Sequence, residues 1–139
     1  MSNIEFFSEE IPFKLPHPIK TANWLKKISR AEKRSIESLT YIFCSDEHLR
    51  SMNKQYLNHT TYTDILSFDL SESNKIQGEI YISIPRVSEN AKAFNQPFER
   101  ELRRVIAHGL LHFIGYKDKT TQQKAQMRIK EEACLSLWK

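Results

Sequence analysis

The run His108-Gly109-Leu110-Leu111-His112-Phe113-Ile114-Gly115-Tyr116-Lys117-Asp118 decides how this chain is read. Its two His stand four residues apart. Residues i and i+4 share a helix face, so both imidazoles can point at one spot. Gly115 suits the left-handed conformation that ends a helix and turns the chain back. Asp118 then meets the imidazoles from the other side. Two His and a carboxylate make a three-ligand set for one zinc ion, and three ligands leave a position for water. His pairs at this spacing also occur on surfaces and in cores without metal. Here the surroundings favour the ion. From Val105 on the segment is nearly all apolar (Val105, Ile106, Ala107, Leu110, Leu111, Phe113, Ile114), as in a helix that runs into the interior. Buried polar groups need partners, and one ion would satisfy both rings.

In the His-Glu-x-x-His signature of metalloproteases the Glu after the first His is the general base. Gly109 stands in that position here. The set is therefore zincin-like without the zincin base, which argues against ordinary peptide hydrolysis.

Working outward, the His helix is predicted over residues 97–114, opened by Pro97. Residues 4–7 read as a short strand. Pro18 suits a first helical position, and Ile19, Ala22, Leu25 and Ile28 mark one face of a helix to about residue 34. Residues 39–44 are β-branched, aromatic and almost continuously apolar, which predicts a central strand. Ser45 can cap a helix whose first turn holds Asp46 and Glu47 and whose buried face holds Leu49, Met52 and Tyr56. Residues 63–68 and 78–82 are predicted strands, joined as a hairpin through polar residues 71–75. Pro85 opens a helix to about residue 94, and Thr120-x-x-Gln123 is a capping box for the last one. Strand-helix-strand stretches support parallel pairing by crossover, and the hairpin adds an antiparallel pair. The predicted class is α+β: a small mixed four-stranded sheet packed with about five helices. One domain over residues 1–139 accommodates it.

Composition bounds the function. Forty per cent of the 139 residues are hydrophobic and 27% charged, the ordinary globular range. The net charge of +4 fits a nucleic-acid partner, and fits a solvated surface as well. Cys44 and Cys134 do not make a disulfide scaffold and read as small buried hydrophobes, so no disulfide partner is expected. With no leader-like start and no apolar run near 18 residues, the chain is expected to be soluble and cytoplasmic, away from membranes.

Other candidates surround the His motif. Glu101 lies two turns before His108 on the same stripe, where it can bond a ligand or take a proton. It can equally be an exposed partner of Arg104. Asp64 and Ser67 fall on opposite faces of a strand, so only one should look toward the site. His48 and His59 read as surface residues, and His17, between two prolines, as no ligand. Arg86, Arg104 and Lys117, with Arg100, Arg103 and Lys119, form a substrate-binding rim if they cluster, and are ordinary solubility residues if they do not. Tyr62, Phe68, Tyr81 and Tyr116 can stack bases or fill the core.

The run His108-Gly109-x-Leu111-His112-x-x-Gly115-Tyr116 resembles the signature of the YbeY family. These are bacterial metal-dependent endoribonucleases implicated in ribosomal RNA maturation and ribosome quality control. The similarity continues in Asn53-x-x-Tyr56, in Thr63-Asp64-Ile65-Leu66-Ser67-Phe68, in Gly78-Glu79-Ile80-x-Ile82-Ser83 and in Glu101-Leu102. It covers residues 53–127 in register. Two positions depart. The family carries Asp-His after Gly-Tyr, with that His as third ligand, whereas Lys117-Asp118 stands here. Leu57 also stands where the family carries an Arg after the Tyr. The resemblance implies a variant with Asp118 as third ligand of one zinc, cleaving single-stranded RNA. Its substrate would be ribosomal RNA precursors at the 3′ end of 16S rRNA, with the ribosome as partner. The alternatives are a zinc-stabilised RNA- or ribosome-binding module without catalysis, and a zinc peptidase.

Overall fold

The apolar run around Tyr41 lies in the middle of the sheet. Strand β2 (Ser35–Cys44) buries Leu39, Tyr41, Ile42, Phe43 and Cys44, so both of its faces are covered. It pairs in parallel with β1 (Ile4–Glu9) on one side and with β4 (Lys75–Ser83) on the other. Strand β3 (Ile65–Asp69) pairs antiparallel with β4, so the sheet order is β1-β2-β4-β3. Helix α1 (Pro18–Ala31) connects β1 to β2, and α2 (Asp46–Leu57) connects β2 to β3. Helices α3 (Ile84–Ala93), α4 (Phe98–Ile114) and α5 (Thr121–Ser136) complete the chain. The mixed four-stranded α+β fold predicted from the sequence is the observed one. This computed structural model describes residues 3–57 and 63–139, apart from the side chains of Tyr56 and Leu57. The readings of Tyr56, Leu57, His59 and Tyr62 lie outside the described residues.

The larger core joins Trp24, Leu25 and Ile28 of α1 to Leu39, Tyr41 and Phe43 of β2 and to Ile106 and Leu110 of α4. Each such aliphatic side chain contributes about 1.5–3 kcal/mol when fully buried. The buried Tyr41 hydroxyl donates to the Ile106 carbonyl at 2.8 Å, which ties sheet to helix without an orphan polar group. A smaller cluster of Cys44, Leu49 and Leu66 takes in Met52, Phe68 and Tyr81. Phe68 and Tyr81 meet edge to face at 5.9 Å and pack, half-buried, against this cluster. The described residues hold no helix long and apolar enough to cross a membrane. Both cysteines are free and buried.

Several boundaries differ from the sequence reading: β2 begins at Ser35 rather than at residue 39, β1 runs on to Glu9, and three others shift with a structural reason. Helix α1 stops at Ala31 because Lys33 turns the chain at φ 59°. Arg34 is thereby released, and its Nη1 donates to the Ile114 carbonyl at 2.8 Å, capping the last turn of α4 with a cation. Strand β4 starts at Lys75, because Ser73 (φ 54°) makes the turn and Lys75 and Ile76 already pair with Ser35 and Ile36. Strand β3 begins at Ile65, which leaves Thr63 and Asp64 ahead of it.

Candidate metal centre

Gly109 sets how α4 lies on the sheet. A Cβ there would sit 2.9 Å from Ile80 Cδ1 and 3.0 Å from Ile65 Cδ1. The helix therefore rests directly on β3 and β4, and no Glu side chain fits where a zincin keeps its base. Gly115 ends the helix at φ 125°. The Gly115 and Tyr116 N–H groups both donate back to the Leu111 carbonyl, at 3.1 and 3.0 Å. This reversal brings Asp118 back over the last turns of α4.

The result is a tight triangle. His108 Nε2 and His112 Nε2 are 2.9 Å apart. Asp118 Oδ2 lies 3.2 Å from the first and 3.4 Å from the second. The far ring nitrogens fix the tautomers. His108 Nδ1 donates to Glu131 Oε2 at 2.5 Å, and His112 Nδ1 donates to the Tyr116 carbonyl at 3.1 Å. A carboxylate and a carbonyl can only accept, so each Nδ1 carries a proton, and in the neutral ring each Nε2 then presents a lone pair. Two lone pairs and a carboxylate oxygen thus converge with no donor among them, a set that a cation satisfies. A tetrahedral zinc with arms of about 2.0–2.2 Å holds its ligand atoms roughly 3.3–3.5 Å apart, close to these spacings. Burial and the neighbouring His108 hold the His112 ring below its ordinary pKa, outweighing Asp118 and the Tyr116 carbonyl. The neutral ring is the ligand form.

Behind His108 runs a buried ionic chain. Glu131 is 2% exposed, and its Oε1 accepts from Arg104 Nη1 at 3.0 Å. Arg104 also grips Glu101, through Nε at 3.0 Å and Nη2 at 2.7 Å. Burial alone would raise the Glu131 carboxyl, but its bond to His108 and the charge of Arg104 hold it below the usual range. Burial works against the Arg104 charge in turn, and the two carboxylates outweigh it.

Glu101 is therefore neither the exposed helix residue nor the direct partner of a ligand that the sequence suggested. It is 2% exposed and reaches His108 only through Arg104 and Glu131. Glu131 was missed by sequence reasoning. A signal for it exists: Met127, Glu131, Cys134 and Leu135 form the buried stripe of α5, and a Glu on an apolar stripe needs a partner.

The triangle opens into a cleft of about 660 Å³. Asp64 and Ser67 both line it, against the expectation that only one would, because Asp64 precedes β3 and strand alternation does not bind it. Burial raises the Asp64 carboxyl, while Arg104 and His108 oppose the shift. Of the proposed rim, Arg104 lines the cleft, and Lys119 lines it where Lys117 does not. Arg86 sits elsewhere, paired with Asp46 at 2.7 Å and Glu89 at 3.4 Å. The Tyr116 hydroxyl donates to Glu32 Oε1 at 2.7 Å, which fixes the turn after α4.

Comparison with known proteins places the chain. The family described as "Endoribonuclease YbeY" matches residues 5–139. The endoribonuclease YbeY of Cytophaga hutchinsonii is 52% identical over 137 residues, spanning 98% of this chain and 96% of that protein. That of Christiangramia forsetii is 48% identical, spanning 97% and 94%. Among solved structures, the solution structure of TM1509 from Thermotoga maritima superposes with a TM-score of 0.68 at 28% identity, covering 96% of this chain and 87% of that one. Shared fold, matched length and this level of identity agree, and the chain belongs to the endoribonuclease YbeY family.

Proposed function

We propose that the protein is a single-domain zinc-dependent endoribonuclease of the cytoplasm. It would cleave single-stranded RNA in ribosomal RNA precursors, at the 3′ end of 16S rRNA, in association with the ribosome. The observation that carries the metal is the convergence of His108 Nε2, His112 Nε2 and Asp118 Oδ2 inside a cleft. The name its relatives carry supports RNA as the substrate.

In this reading His108, His112 and Asp118 hold one zinc ion. Bound there, zinc supplies an acidified water and charge stabilisation for the phosphate. The rest is done by the chain. Glu131 and the Tyr116 carbonyl hold both rings in the tautomer that presents Nε2. Asp118 brings a negative charge where a third His would bring none. Lys119 lines the cleft and pairs with no carboxylate among the described residues, so its ammonium is free for a phosphate oxygen. Arg104 lines it too, but its charge is committed to Glu101 and Glu131. Asp64 is a cleft carboxylate outside the ligand set, placed to take a proton. The peptidase alternative loses its base, because the sheet fills the space beside Gly109.

The test compares wild type with His112→Ala, purified identically, on a labelled ribosomal RNA fragment. Wild type should nick single-stranded RNA in preference to duplex RNA or DNA of the same sequence, since the 2′-hydroxyl and an accessible strand distinguish it. A chelator and His112→Ala should each abolish cleavage. Equal cleavage by both proteins means a contaminating nuclease. No cleavage by either, with RNA still bound, means a non-catalytic binding module.

A further inference from the structure

Helix α1 carries a second surface with the chemistry of an RNA contact. Its inner side (Thr21, Ala22, Trp24, Leu25, Ile28, Ser29) packs into the core. Its outer side presents Lys20, Asn23, Lys27 and Arg30, with Lys26 at the edge. These 14 residues contain four cations and no Asp or Glu. Setting those four aside leaves 17 of the chain's 21 Lys and Arg, equal to its 17 Asp and Glu. An excess equal to the whole net charge of +4 thus sits on one helix.

A groove of about 810 Å³ runs along this side and is completed by Leu137, Trp138 and Lys139. Its lining includes five Lys or Arg and no carboxylate side chain. Lys20 Nζ is held 4.4 Å from the centre of the Trp138 ring. Among the described residues Lys26, Lys27 and Arg30 form no ion pair, whereas Arg86, Arg100, Arg104 and Lys130 each do. Lys26 and Arg30 are also an i, i+4 pair of like charge, an arrangement that destabilises an isolated helix. Crowded, unpaired cations are relieved by a polyanion.

We infer that this groove docks the phosphate backbone of RNA away from the point of cleavage. It shares no lining residue with the cleft at His108. The choice of RNA as the polyanion rests on the endoribonuclease reading, while the concentration of charge on α1 is independent of it. A lipid surface is the poorer fit. A basic helix that lies on a membrane buries its apolar face in the bilayer, and the apolar face of α1 is already buried in the core, with Ile19 the large hydrophobic left exposed on that helix.

The experiment measures binding of a labelled single-stranded ribosomal RNA fragment at several salt concentrations. It uses wild type and the triple variant Lys26→Ala, Lys27→Ala, Arg30→Ala, with thermal melting as the fold control. A Lys27→Gln, Arg30→Gln double variant serves if the triple one does not fold. Removing one cation from a phosphate should flatten the salt slope of log affinity by about 0.7, so the triple variant should show a slope shallower by roughly 2 and bind at least about tenfold more weakly at low salt. Its metal content should match wild type. Unchanged affinity and slope would overturn the groove, as would wild type that ignores RNA or prefers phosphatidylserine vesicles or an acidic peptide. Binding that depends on these residues in a protein that never cleaves RNA would leave the groove standing and remove the endoribonuclease reading.

Discussion

His108 presents Nε2 only while its other nitrogen is held. The 2.5 Å bond to Glu131 does this, and Arg104 holds Glu131 in place from behind. Removing such a partner of a metal-bound His typically costs 10–100-fold in affinity. Glu131→Ala should therefore weaken zinc binding by about that factor, measured by competition with a chromophoric chelator. Glu131→Gln keeps an acceptor oxygen and should lose less. Equal affinity in all three proteins would show that the ring is fixed by something else. The two thiols give a second residue-level prediction. Burial, reinforced by nearby carboxylates, pushes Cys44 and Cys134 up to about 12 from an ordinary 9.0. In the unfolded chain these thiols ionise near 9, while in the folded protein they keep their protons. Their effect on stability is nil below that point and turns destabilising as pH rises from 9 toward 12. The urea midpoint should fall between about pH 8 and pH 10 by more in wild type than in a Cys44→Ala, Cys134→Ala variant. An equal fall in both would contradict the shift.

At the scale of elements, the signals that were legible are local ones. Ser45 accepts from the His48 N–H at 3.1 Å, Gly115 ends α4, and the Thr120–Gln123 capping box is present with both of its bonds. Each acts within a turn of its own position, so sequence alone displays it. The cap of α3 is Ser83, which accepts from the Arg86 N–H at 3.2 Å; Pro85, the more visible start signal, lies two residues inside it. Bonds that cross elements were not legible: Arg34 to Ile114 spans 80 residues of chain and Glu131 to His108 spans 23. The proposed metal ligands were legible because all three fall within one helix and its turn. Two element-level outcomes follow. The capping box fixes the backbone just after Asp118, and the Gln123 side chain also accepts from the Lys119 N–H. Thr120→Ala should cost about 1 kcal/mol in denaturant unfolding, the usual value of an N-cap. No change in the unfolding midpoint would show that the cap carries no weight. Gly109→Glu should prove far worse, by about 3 kcal/mol or more, because it overpacks Ile80 and Ile65 and buries an unpaired charge. A folded, stable Gly109→Glu protein would mean that α4 does not lie on the sheet as described.

For the whole molecule, the sheet supplies a floor on which α4 is laid, and α5 supplies the carboxylate that holds the His108 ring. Composition indicated a basic protein without showing where the charge lay. The fold places an excess equal to the whole net charge on α1, while the cleft at the His pair holds carboxylates beside its cations. The two share no lining residue, so the proposed metal chemistry at one and the proposed phosphate contact at the other can be tested separately. Asp118 is one of the two positions where this chain departs from the pattern it resembles, and the proposed metal centre stands or falls on it. The most direct measurement is a crystal structure of zinc-loaded protein with anomalous data collected at the zinc edge. One strong peak per chain is expected, bonded to His108 Nε2, His112 Nε2 and an Asp118 carboxylate oxygen. A peak bonded through either Nδ1, a peak that leaves Asp118 unbound, or no peak at these residues would contradict it.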